Sequence, residues 1–269
     1  MRKTKPQPRI QRAAQWLLDA HARRERFRPL PPELAPRSID EAYGTQDAFV
    51  TLRAQKLGAI AGYKVALSTA AMQKFVGVDA PQAGALLEQT IRRSPARVRA
   101  ADYVHLIVEF EIAVQIAEEL PAADAPFFRD RVAAAVGAVM PAIELADDRG
   151  ADYAGLARHP LELICDNAWS EGAVLGYPVQ EWKGIDLASV RGVASINGRE
   201  VGKGRGKDAM GHPLDAVAWI ADHLSAGGRG LMRGDVVITG SLVQTQAARP
   251  GDLVKFSLEG LGDAELRVE

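Results

Sequence analysis

The chain holds one cysteine, Cys165, among 269 residues. No internal disulfide can form, and the usage fits a reducing compartment. Within Leu163-Ile164-Cys165-Asp166 the thiol reads as a small buried apolar residue, with no histidine nearby in sequence to activate it. Histidine is scarce as well, five in all, and no His/Cys cluster has the spacing of a zinc site. No apolar run approaches the roughly 20 residues that a membrane helix needs. The basic segment Met1–Arg9 is not followed by a signal-peptide core, so a cytoplasmic protein without a membrane partner is expected. The net charge of −1 leaves no global positive field of the kind that holds nucleic acid.

What remains is an ordinary globular composition, 47% hydrophobic and 25% charged, in a chain long enough to bury a substantial core. Residues 1–8 read as a disordered tail. Apolar residues at Ala13, Ala14, Leu17 and Leu18 then predict a helix over Ile10–Phe27, its arginines on a solvated face. Four prolines between Pro29 and Pro36 impose an extended connector. Ser38-Ile39-Asp40-Glu41 is a capping-box pattern opening a second helix that stops near Gly58.

Beyond Ala59 the pattern turns to short strands, predicted at 60–67, 104–116, 140–146, 171–176, 192–196, 235–239, 252–259 and 264–268. Helices are predicted near 127–139 and from His212-Pro213 to Gly227-Gly228, with Pro213 at the first helical position. Strands and helices do not alternate regularly. The fold class is therefore α+β, a mixed β-roll or barrel, with a helical N-terminal region (1–58) before a β-rich catalytic body (59–269).

Chemistry concentrates in the run from Val104 to Val114. Read as a strand, it points Glu109 and Glu111 to one face, where two carboxylates on a greasy strand repel each other and lose hydration. Alone, such a pair fits an edge strand with one wet face. Pro141-Ala142-Ile143-Glu144 puts a third acid in a second apolar strand. Three carboxylates together call for a hard divalent cation, Mg²⁺ or Mn²⁺ rather than Zn²⁺. Lys64, in Gly62-Tyr63-Lys64-Val65-Ala66-Leu67-Ser68, reads either as a snorkelling lysine or as a cation for an anionic substrate. Ser68 is placed to cap a short helix through Ala71, Met72 and Phe75. Asp79 reads as a turn residue able to join the site. Gly202–Gly211 matches neither the P-loop nor the dinucleotide-binding spacing and is expected as a mobile, cationic loop near an anion site. His212 reads as a helix-start residue.

These pieces, with Gly77-Val78-Asp79-Ala80-Pro81, Asp166-Asn167-Ala168, Gly211-His212-Pro213-Leu214 and Ile238-Thr239-Gly240-Ser241, run in one order over residues 40–268. In that order the chain resembles the fumarylacetoacetate hydrolase superfamily, in the branch of 2-oxopent-4-enoate hydratases and 4-oxalocrotonate decarboxylases. The resemblance implies a mixed β-roll, Glu109, Glu111 and Glu144 as metal ligands, Lys64 and Asp79 as active-site residues, and a homo-oligomer. Where that branch often carries two serines after Asp-Asn-Ala, this chain has Trp169 and Ser170. The implied activity is hydration of a 2-hydroxy-2,4-dienoate to a 4-hydroxy-2-oxo acid. Decarboxylation of a 2-oxo-dioate is the alternative, with Arg205 or Lys207 serving the second carboxylate. Hydrolysis of an acylpyruvate ranks below both, and a non-catalytic acid binder is the reading from a different class.

Overall fold

The computed structural model describes residues 8–269. The tail expected at 1–8 thus lies outside the described residues except for Pro8, which opens helix α1 (Pro8–Ala22). That helix stops short of Phe27 because Arg24 turns left-handed (φ 52°) and the Glu25 amide closes back on the Ala20 carbonyl at 2.9 Å. In α2 (Ile39–Leu57) the Ser38 hydroxyl accepts the Glu41 amide at 3.2 Å, but the Glu41 carboxylate takes the Arg37 amide instead of completing the box. Cys165 is fully buried among the small and apolar residues that join these helices to the body, including Ala14, Leu17 and Phe49.

Among the described residues thirteen strands follow. They are β1 (Ile60–Ala66), β2 (Gln82–Leu87), β3 (Ile91–Arg93), β4 (Ala96–Val98), β5 (Leu106–Ile116), β6 (Val136–Asp147), β7 (Ser170–Leu175), β8 (Arg191–Ile196), β9 (Arg199–Arg205), β10 (Val236–Ser241), β11 (Gln246–Ala247), β12 (Leu253–Leu258) and β13 (Gly262–Val268). The larger sheet runs β2-β1-β10-β5-β6-β7-β3, with β11 added beside β5; the smaller runs β4-β13-β12-β8-β9. Both sheets mix parallel and antiparallel neighbours. Even-numbered residues of β5 (Val108, Phe110, Ile112) join Val254, Phe256 and Leu266 of the smaller sheet in one core, with the Phe110 and Phe256 rings 5.5 Å apart.

The odd-numbered face of β5 points into the curl of the larger sheet. That curl brings β2 and β7 together without a ladder between them. The Asn167 carboxamide bridges there instead, accepting the Ala85 amide at 2.7 Å and donating to the Ala85 carbonyl at 2.9 Å. The expected roll is present; the sheet is open and no barrel closes among the described residues.

Further helices among the described residues decorate it: α3 (Ala70–Val76), α4 (Arg129–Ala135), α5 (Pro160–Cys165) and α6 (Pro213–Ala226). His212 caps α6 as expected, its Nδ1 accepting the Leu214 amide at 3.1 Å. Three local expectations are corrected. Thr69, not Ser68, caps α3, accepting the Met72 amide at 3.3 Å. Helix α4 ends at Ala135, because Val136 onward pairs with β5 and is drawn into β6. The Gly202–Gly211 segment is no mobile loop. Its first part is β9, paired with β8, and its glycines admit neighbouring backbone: a Cβ on Gly204 would sit 1.9 Å from the Leu242 carbonyl oxygen, and one on Gly206 1.8 Å from that of Leu187.

A buried charge network anchors the chain where it enters β7. The Asp166 carboxylate, 1% exposed, meets the Arg149 guanidinium on one oxygen and His21 Nε2 at 2.6 Å on the other. Glu171 lies 3.5 Å from His21 Nδ1 and takes two hydrogen bonds from Arg53. Burial alone would depress His21, but the two carboxylates outweigh it and raise it to about 8. Burial likewise opposes ionisation of Asp166, and His21 and Arg149 reverse this, holding it below the usual carboxylate range. The network clamps a strained stretch, since Asn167, Ala168 and Trp169 all have left-handed φ (52°, 48° and 58°). Each such non-glycine residue costs on the order of 1 kcal/mol.

Because the folded-state value of His21 lies above the usual 6.5, its stabilisation is complete below pH 6.5 and is lost as pH rises through 8. The stability gap between wild type and His21→Gln, from urea unfolding, should therefore be about 1–2 kcal/mol larger at pH 6 than at pH 9. A gap independent of pH would contradict the charged network.

Candidate metal centre and pocket

Antiparallel pairing of β5 with β6 sets Glu109 directly opposite Glu144, and Glu111 lies one pleat further along the same face. One oxygen from each of the three carboxylates lies within 4.8 Å of the others. Glu111 and Glu144 are fully buried, and Glu109 is half-buried and lines the pocket above them. Lys64 reaches in from β1, its Nζ 3.0 Å from Glu144 Oε1 and 3.5 Å from the Ala168 carbonyl. Three anions and one cation leave a formal charge of −2 in a buried space, which is costly without a compensating ion.

Two of the carboxylates are oriented from the neighbouring strand β10 and the link that follows it. A bulge sets Thr239 and Gly240 of β10 against β5, where the ladder steps from Ile238–Ala113 to Ser241–Glu111. It aims the Gly240 amide at Glu111 Oε2, 2.6 Å away. Glycine is required there: φ is 105°, and a Cβ would meet the Ser68 hydroxyl at 2.4 Å. The Thr245 hydroxyl donates to Glu109 Oε1 at 2.5 Å. Glu111 Oε1 and both Glu144 oxygens accept no aligned hydrogen bond among the described residues, although Lys64 Nζ stands beside one of them.

Burial, then the neighbouring carboxylates, push Glu111 well above the usual range. Burial also raises Glu144, to about 7, against the pull of Lys64. For Lys64 burial acts downward, but the three carboxylates overcome it and hold the ammonium charged. Orphaned, buried, oxygen-only donors with excess negative charge fit a hard divalent cation; without histidine or cysteine they fit zinc poorly.

Glu109 and Lys64 line a cavity of about 360 Å³. Trp169 forms part of its wall, packed edge-on between Phe27 (5.5 Å) and Tyr153 (5.8 Å). The structure brings Glu109, Glu111, Glu144 and Lys64 together. It does not bring Asp79, which is exposed in the turn after α3 and lines no part of the cavity: Gly77, left-handed at φ 81°, ends the helix and turns the chain outward. Arg205 and Lys207 are also exposed and do not line the cavity, although Asp208 beside them does.

Thr245, Tyr153 and Asp208 line the cavity and escaped the sequence reading. Tyr153 and Asp208 lie in short 3-10 turns and Thr245 in the link between β10 and β11, segments with no periodic signal of their own. Ser241 and Gly240 were visible as part of Ile238-Thr239-Gly240-Ser241, but the hydrogen bond to Glu111 was not.

Known proteins resemble this chain in sequence and fold. Residues 55–269 match the fumarylacetoacetate (FAA) hydrolase C-terminal family. The chain is 30% identical to a 2-keto-4-pentenoate hydratase of Paraburkholderia xenovorans (strain LB400), over 98% of this chain and 96% of the relative. It is 27% identical to a 2-oxo-hept-4-ene-1,7-dioate hydratase of Escherichia coli, over 94% and 96%. Two structures of 4-oxalocrotonate decarboxylase from Pseudomonas putida G7, one complexed with magnesium and adipate and one with calcium and acetate, share the fold over 99% of both chains. Their TM-scores are 0.89 and 0.88, at 24% and 25% identity. With a family match over most of its length and relatives aligned nearly end to end, this chain belongs to the fumarylacetoacetate hydrolase family.

Proposed function

We propose that the protein is a divalent-metal-dependent hydratase, a carbon–oxygen lyase that adds water to a 2-hydroxy-2,4-dienoate and gives a 4-hydroxy-2-oxo acid. The observation that carries this reading is the set of buried carboxylate oxygens without hydrogen-bond donors, gathered beside a charged lysine at the floor of a largely apolar cavity. Glu109, Glu111 and Glu144 are the residues that would hold Mg²⁺ or Mn²⁺. A cation bound there supplies Lewis acidity and charge neutralisation for the 2-oxygen and carboxylate of the substrate.

The protein's own groups do the rest. Lys64, held as an ammonium, is a fixed positive charge for an anionic substrate oxygen, and its contact with Glu144 keeps it in place. The Gly240 amide and Thr245 hydroxyl fix the carboxylate orientations beforehand, so no reorganisation is needed during reaction. The apolar wall excludes bulk water from the diene except where polar groups such as Ser241 and Gln244 meet it. In balance, one water is consumed: C5 gains a proton, C4 the hydroxyl, and the proton that leaves the 2-hydroxyl is matched by one gained at C3, as the dienol becomes the saturated 4-hydroxy-2-oxo acid. We also read the protein as a cytoplasmic homo-oligomer acting in the breakdown of aromatic compounds.

A 2-oxo-dioate decarboxylase is the second reading, supported by the end-to-end likeness to 4-oxalocrotonate decarboxylase at 25% identity. It ranks lower because neither Arg205 nor Lys207 reaches the cavity to receive a second carboxylate. Product analysis with a matched pair, 2-hydroxy-2,4-pentadienoate and its carboxylated analogue, separates the two. A hydrated monoacid is expected; carbon dioxide from the dioate as the dominant product would reverse the order.

Glu111→Gln should weaken Mn²⁺ binding by calorimetry at least about tenfold, since a charged ligand is lost while the side-chain shape is kept. Unchanged affinity would remove Glu111 from the metal centre. Lys64→Met should leave Mn²⁺ affinity equal or higher, because one positive charge leaves the cage, while turnover falls about 100-fold or more. Parallel loss of metal and turnover would make the lysine structural.

A further inference from the structure

The cavity has two unlike parts. Lys64 and Glu109 line its floor, with Glu111 and Glu144 buried beneath. The apolar part of the wall is built by Leu67, Met72 and Val76 together with Leu156, Leu163 and Trp169. Leu156, Leu163 and Trp169 belong to one buried apolar cluster with Ile107 and Ala146, so this part of the wall is continuous with the packed interior. The volume, about 360 Å³, lies in the range of sites for ligands larger than a five-carbon acid.

The charges are equally one-sided. Among the described residues lining the cavity Lys64 is the single lysine or arginine, and it faces Glu144 at 3.0 Å. The other ionisable groups on the wall are Glu109, Asp208 and Tyr153. Tyr153 has already committed its hydroxyl to Asp148, donating at 2.8 Å. A carboxylate at the remote end of a substrate would lose its hydration facing apolar side chains and acids, with no cation to receive it.

We propose that this site selects dienoates whose end remote from the 2-oxygen carries an uncharged apolar substituent longer than methyl, and discriminates against the corresponding dioates. The inference rests on the reading of the floor as the place where the 2-oxo acid group binds. The tail then lies along Leu156, Leu163 and Trp169 and reaches Met72 at the rim, where that side chain is 42% exposed.

The test is calorimetry on the Mn²⁺-loaded protein with saturated 2-oxo acids, which bind without being hydrated. The expected order is 2-oxooctanoate at least about tenfold tighter than 2-oxopentanoate, and 2-oxoheptanedioate at least about tenfold weaker than 2-oxooctanoate. A dioate that binds as tightly as 2-oxooctanoate, affinity indifferent to tail length, or no binding by any of the acids would overturn the proposal. Met72→Arg, at a partly exposed position on α3, adds a cation at the rim and should narrow the gap between 2-oxooctanoate and the dioate at least about threefold. An unchanged gap would mean that the tail does not run this way. Hydration of 2-hydroxy-2,4-pentadienoate is measured separately. If it fails while the binding order holds, the hydratase reading falls and the tail selectivity stands.

Discussion

The pairing register of β5 and β6 is the constraint on which the site depends. It places Glu109 against Glu144 and leaves Glu111 on the same face. A slip of one residue would turn Glu144 to the opposite face and set Phe110, Ile112 and Val108 wrongly against the second sheet. The aromatic contact of Phe110 with Phe256 and the full burial of the even-numbered β5 residues oppose any such slip. The core on one face of β5 thereby maintains the charge cluster on the other. That cluster is unfavourable by itself: Glu111 and Glu144 are driven towards protonation first by burial and then by neighbouring carboxylates, Glu109 acting on both, and Lys64 offsets only one charge. Free energy stored in this way makes a site that gains from taking up a cation.

The surroundings of the cluster carry strain of another kind. Three consecutive left-handed residues, Asn167 to Trp169, bring the Ala168 carbonyl to Lys64, put the Trp169 ring in the cavity wall and hand the Asn167 amide to the open end of the sheet. Asp166, buried between Arg149 and His21, ties down the start of this turn. The N-terminal helix thus contributes to the pocket at second hand, through His21. One short segment closes the roll, shapes the cavity and receives the lysine, and its conformation is affordable because each of those contacts is made at once.

Much of this was legible beforehand where local chemistry decides. Alternation in Val104–Val114 located β5 and its two glutamates, Pro213 located the start of α6, and Gly58 located the end of α2. Legibility failed where a segment's fate depends on its neighbours. Gly202–Gly211 has the composition of a flexible loop, yet its first part is a strand, because its glycines allow Leu242 and Leu187 to approach. Asp79 belongs to a motif that resembles an active-site piece, yet the turn that contains it faces solvent. Strand β2 is fully buried but rich in alanine and glycine, a composition with little strand signal of its own.

By itself, then, the sequence determined which residues carry chemistry and which face of each strand they occupy, since the two-residue period of a strand is a local property of the backbone. It also determined, through oxygen-only acids and the absence of clustered histidine or cysteine, that a hard cation suits the site better than zinc. Tertiary structure alone decided that Glu144 meets Glu109 across a ladder, that Lys64 arrives from two strands away, and that the cavity beyond them is apolar. Those outcomes depend on register, curvature and packing between segments distant in the chain, and no local pattern encodes the distances between them.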